Sequence, residues 1–180
     1  MGIAVEDTNP IVETDEDLIV LFDLLSEDPY VLVQSSEDAS FEILTNYDLL
    51  HYLRESIEPF LLIEDIERSI RMLIQDALSD HLEEELHNFF NDKDIRTPDG
   101  IDECSFGHYI QFIPPNWSRF EEYFQETEND GDFVRRLLKE VGRIRNEIFH
   151  FRSDSYDSTL EEELIKFAHG YFQKRTQIVR

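Results

Sequence analysis

Arg145, Asn146 and His150 stand close together in the segment Arg143-Ile144-Arg145-Asn146-Glu147-Ile148-Phe149-His150-Phe151-Arg152. Their side chains suit phosphodiester chemistry without a metal. An imidazole titrates near neutral pH and can take a proton from a 2′-hydroxyl or give one to a leaving oxygen. A guanidinium binds a phosphoryl group through paired N–H bonds and stabilises the extra charge of a pentavalent phosphorane. Asn146 and His150 are four apart and share a helix face, so Asn146 can orient the imidazole. Arg145 and His150 are five apart and diverge by about 140° on an ideal helix. They converge only if the helix ends near His150, or if a symmetric partner brings two such sets together. Arg136, Lys139, Arg143 and Arg152 add positive charge, which fits binding of RNA phosphates. Read by themselves, the same residues also allow a blander role, a capping histidine and an arginine that favours the helix macrodipole.

Other pairings are weaker. His81 and His87 are six apart, so their imidazoles point about 120° apart, whereas metal ligands on a helix want a step of four. Cys104 has His108 four residues on, but Asp102 and Glu103 beside it oppose a thiolate. The spacing points to a structural cysteine and to no metal site. Neither common Gly-rich phosphate loop is present, which argues against an NTPase or a dinucleotide enzyme. No cofactor is expected.

The elements that must position these residues fall into two groups, residues 1–57 and 58–180. In the first, Pro10-Ile11-Val12 is extended. Thr14 begins a helix with Asp17 as its box partner, and Leu18, Leu21, Phe22 and Leu25 make its apolar face. Asp28-Pro29 stops it. Tyr30–Val33 and Phe41–Leu44 read as strands around a polar turn, a hairpin pattern. A helix starting near Asn46 or Asp48 carries Leu49, Leu50 and Leu53. From Pro59 the character is nearly all helix. Ile63, Ile66, Ile70, Leu73 and Ala77 alternate steps of three and four, a seam that faces a partner helix or a bundle core. Trp117–Phe124 reads as a short helix capped by Asn116. A helix from Gly131 or Asp132 buries Phe133, Val134, Leu137, Leu138, Val141, Ile144 and Ile148. Thr159 caps a last helix whose apolar side is Leu164, Ile165, Phe167, Ala168 and Phe172. The fold class expected is α+β and mostly helical.

The chain has 180 residues, and 41% of them are hydrophobic, enough for a packed core. One cysteine rules out a disulfide within the chain and any multi-cysteine zinc site. The N-terminus lacks the basic start and apolar stretch of a signal peptide, and no apolar run approaches the ~20 residues that span a bilayer. A cytoplasmic protein without membrane association is expected. The net charge of −25 opposes non-specific nucleic-acid binding. It is unevenly spread: residues 1–60 hold fifteen acidic residues and one basic, whereas residues 131–180 hold eight acidic and ten basic. Six of those bases lie between Arg135 and Arg152.

Arg145, four residues, then His150, with Asn146 after the arginine, resembles the signature of HEPN domains (higher eukaryotes and prokaryotes nucleotide-binding). The phrase Leu138–Phe151 is similar to that family's motif helix, and residues 58–180 resemble its helical layout. The resemblance implies a dimeric, metal-independent endoribonuclease, often a toxin or antiviral effector, with Arg145 and His150 of both protomers lining one cleft. It also implies the alternative found in the same family, a non-catalytic dimerisation or interaction module. A homodimer is expected, with RNA as substrate and a protein partner such as an antitoxin or regulator. Residues 1–57 resemble a CBS domain through the order strand, helix, strand, strand, helix and through Thr45-Asn46-Tyr47-Asp48, its Thr-x-x-Asp signature. That resemblance implies that Thr45 and Asp48 touch an adenine nucleotide, making the protein a nucleotide sensor. Against the family's pattern, the usual Gly before the last strand is absent and one copy stands where a pair is usual, which leaves a dimerisation module open. With Arg54 the only base near Thr45 and Asp48, tight binding of ATP or AMP is not expected.

Overall fold

The computed structural model describes residues 10–36, 40–91, 93, 95–124, 131–149 and 158–177. The elements are β1 (Ile11–Glu13), α1 (Leu18–Glu27), β2 (Tyr30–Gln34), β3 (Phe41–Thr45), α2 (Asn46–Leu78), α3 (Leu82–Asn91), α4 (Phe106–Phe112), α5 (Gly131–Phe149) and α6 (Ser158–Thr176). The fold is α+β and mostly helical, with one small three-stranded sheet. The chain divides into two compact units, Met1–Ile57 and Glu58–Arg180.

In the first unit β1 pairs parallel to β2, and β2 pairs antiparallel to β3. The parallel pair requires a crossover, and α1 supplies it. Asp17 is the N-cap of α1: its carboxylate accepts from the Ile19 N–H at 2.8 Å. This corrects the expected start at Thr14, because an aspartate directly before the first helical turn satisfies an orphan N–H there. Leu18, Leu21, Leu24 and Leu25 face the small core with Val12, Val31 and Leu49. Leu24 takes the place expected for Phe22, which is 39% exposed.

The helical stretches read on either side of Pro59 form one helix, α2, with Pro59 inside it. Ile63, Ile66, Ile70 and Leu73 are buried, with Ala77 packed beside them. They meet the buried faces of α5 (Val134, Leu138, Val141, Ile144) and α6 (Ile165, Ala168, Phe172) in one core. The seam is therefore spent within its own bundle. Ser79, at φ 45, ends α2, and a 3-10 turn over Ser79–His81 leads into α3.

Trp117–Phe124 is not an α-helix. Two 3-10 turns, Pro114–Arg119 and Glu121–Phe124, occupy the region. Asn116 lies inside the first and donates back to the Phe112 carbonyl at 2.8 Å rather than capping forward. α6 begins at Ser158, so Thr159 lies in its first turn. Tyr171 is buried on that helix, and Phe167 is 55% exposed. No described helix is long and apolar enough to cross a membrane.

Candidate functional site

α5 presents the basic segment. Its burial follows the sequence pattern: Val134, Leu137, Leu138, Val141 and Ile144 are buried, while Phe133 and Ile148 pack at the margin. Gly142 is buried too. A Cβ there would stand 3.3 Å from the Ile110 side chain and 3.4 Å from Phe106, so the missing side chain lets α4 lie close against α5.

Arg136 and Lys139 are exposed, and neither makes an ion pair among the described residues. Arg135 beside them is exposed likewise. Arg143 differs. Its Nε donates to Glu140 at 3.1 Å, its Nη1 to both Glu147 oxygens at 2.8 Å, and its Nη2 to Glu161 at 2.8 Å. These bonds, that to Glu161 foremost, raise its pKa further above the ordinary arginine value. The guanidinium fork is filled by carboxylates, and its link to Glu161 ties α5 to α6. That geometry revises its expected part in RNA binding. Glu140 and Glu147, three and four residues away, are legible in the sequence. Glu161, on another helix, is not.

Arg145 has no carboxylate partner among the described residues. Its Nη1 approaches the Asn146 side-chain oxygen at 3.4 Å, and its guanidinium lies 5.0 Å from the Phe149 ring centre. Phe149 in turn meets Phe60 of α2 edge-on at 5.3 Å. The Arg145 Nε is buried without a hydrogen-bond partner. Helix geometry explains this. Arg145 lies about 40° from Val141 and about 20° from Leu138 around the axis, on the buried side, and about 120–180° from Lys139, Arg143 and Arg136. The structure does not bring Arg145 together with that outer strip. Asn146, exposed, belongs to the strip side. His150 and Arg152 lie outside the described residues, as does the expected Asn146–His150 pairing.

Thr45 and Asp48 form a capping box at the start of α2. Asp48 accepts from the Thr45 N–H at 2.9 Å and from its hydroxyl at 2.6 Å. The Asp48 N–H points to the Thr45 oxygen at 3.4 Å. The bond from the Thr45 hydroxyl is the chief cause holding the Asp48 carboxyl below its usual range. The Thr-x-x-Asp pattern thus has a local structural purpose.

Cys104 is buried, and desolvation pushes its thiol up to about 11. His108 is engaged elsewhere: its Nδ1 accepts from the Ser105 N–H at 2.8 Å, completing the cap of α4, and its Nε2 lies 3.0 Å from the Arg96 carbonyl. His81 and His87 are both exposed, and no group of three metal-ligating side chains exists among the described residues.

The chain was compared with family models, curated proteins and solved structures, and none of the three matches it.

Proposed function

We propose that the helical unit is a metal-independent endoribonuclease of the HEPN type, a toxin or defence effector, carried with a CBS-like module. The observation that supports it is Arg145. In a chain with 41 acidic residues, its guanidinium has no carboxylate partner among the described residues, while Arg143 two positions earlier binds three. A cation left half-buried and without an acid is suited to an anion from outside, and a phosphodiester is such an anion.

In this reading His150 takes the 2′-hydroxyl proton. The 2′-oxygen attacks phosphorus, and the 5′-oxygen leaves with a proton from the second histidine of a dimer, yielding a 2′,3′-cyclic phosphate. Arg145 stabilises the phosphorane, Asn146 orients the His150 imidazole, and Arg136, Lys139 and Arg152 attract the RNA. The test is cleavage of RNA in EDTA. The wild type should cut and leave cyclic phosphate ends, and Arg145→Ala and His150→Ala should each lose about 10²–10⁴-fold in rate with the fold retained. Cleavage that EDTA abolishes, or that survives His150→Ala, rules the mechanism out.

The non-catalytic interaction module is favoured by the position of Arg145 on the buried side of α5, where it also packs on Phe149. A wild type that cuts no RNA selects that reading.

A further inference from the structure

The unit ending at Ile57 is unusual in what it leaves uncovered. Ten of the fourteen exposed large apolar side chains among the described residues belong to it, although its core holds only four buried ones. Ile11, Leu32 and Ile43 are register partners across the three strands and so share one sheet face. Ile11 is 58% and Ile43 63% exposed. A groove of about 300 Å³ opens between α1 and the sheet, with Leu21, Val33 and Leu44 among its walls. Glu13, Glu16 and Glu42 also line it. None of the three has an ion-pair partner among the described residues.

The charge around this groove selects what can fill it. Residues 1–57 hold fourteen acidic residues against one arginine, Arg54. The one histidine, His51, faces Glu55 at 3.5 Å. A nucleic acid or an anionic membrane is repelled by such a surface. A second copy of the unit brings the same excess of negative charge with it. At about 300 Å³ the groove lies at the small end of the range of ligand pockets, a size that suits a few side chains.

We propose that this groove is the docking site for a basic amphipathic segment of a partner protein. The segment's apolar side chains rest on Leu21, Val33 and Leu44, and its lysines or arginines pair with Glu13, Glu16 and Glu42. Apolar contact supplies the affinity and the carboxylate rim the specificity and the on-rate. The site is independent of the Arg145–His150 reading and stands whether or not the protein cuts RNA.

The experiment uses the full chain and a short fluorescein-labelled peptide in which lysines alternate with leucines, followed by anisotropy. Two control peptides replace the lysines by glutamates or the leucines by serines. The expected result is saturable binding of the first peptide alone, weakened by salt and reduced roughly tenfold in Glu13→Gln/Glu42→Gln. A charge-reversed variant, Glu13→Lys/Glu42→Lys, should instead prefer the glutamate–leucine peptide. Circular dichroism melts establish that both variants fold. Equal binding of the lysine–serine peptide, binding that ignores both variants, or no binding overturns the proposal. So does binding of neutral phosphatidylcholine vesicles that is lost in Ile43→Asp, which assigns the face to lipid, or sedimentation showing dimers dissociated by Ile43→Asp, which assigns it to a second copy.

Discussion

Arg143 and Arg145 are two residues apart, yet a half-turn of helix gives them opposite circumstances. Arg143 spans Glu140, Glu147 and Glu161, and Arg145 meets no acid among the described residues. Arg143→Ala should therefore act on stability. It leaves Glu161, which is 9% exposed, without its partner, at a cost of about 1–2 kcal/mol read as a lowered melting temperature. In the ribonuclease reading, its effect on the salt dependence of RNA binding should be small. In the same reading, Arg136→Ala and Lys139→Ala should do the reverse, keeping the melting temperature and lowering the salt slope of RNA affinity by about 1 each. Cys104 offers a second residue-scale check. Its folded pKa of about 11 lies above the ordinary 9.0. The buried neutral thiol thus contributes stability that is complete below pH 9 and lost as pH rises through 11. Alkylation by iodoacetamide at pH 8 should be slow in the native chain and fast in urea, measured by mass spectrometry; equal rates would contradict the burial.

At the scale of elements, the contact of α4 with α5 depends on Gly142. Gly142→Val would press its side chain into Ile110 and Phe106, and overpacking of this kind typically costs about 1–3 kcal/mol. Because α5 carries Arg145, the same substitution should lower any nuclease activity without touching a reacting group. Urea unfolding and a cleavage assay measure the two effects. The periodicity of α5 was readable because every third or fourth residue is apolar, and the burial follows that pattern from Val134 to Ile144. The 3-10 turns from Pro114 to Phe124 were not readable as such. Their amphipathic spacing matches a helix, but Pro114-Pro115 and Asn116, at φ −102 and ψ 22, break it into separate turns.

At the scale of the whole molecule, the seam along α2 suits a partner helix or a bundle core equally, and burial assigns it to the bundle core. Ile63, Ile66, Ile70 and Leu73 are all 0–1% exposed within one chain. A dimer would then have to use other surfaces, and in the HEPN reading it forms where two copies of the α5 end meet. Sedimentation at increasing concentration should show dimers that survive Ile43→Asp and are weakened by Phe149→Asp, since Phe149 is 47% exposed beside Arg145. A monomer at every concentration would remove the two-histidine cleft from the mechanism.

Local chemistry is what the amino-acid order by itself determined. The strand–helix–strand–strand–helix order, the cap chemistry of Thr45-x-x-Asp48 and the apolar stripes of α2 and α5 all depend on residues within a few positions of one another. Periodicity and capping are short-range, so they survive without knowledge of the fold. Partnership across the chain was decided only in three dimensions. An apolar seam reads identically whether α5 and α6 or a second copy covers it. Arginines at 143 and 145 are the same residue type in the same segment, until Glu161, eighteen residues from the first, closes on Arg143 and the turn of the helix places Arg145 against Phe149.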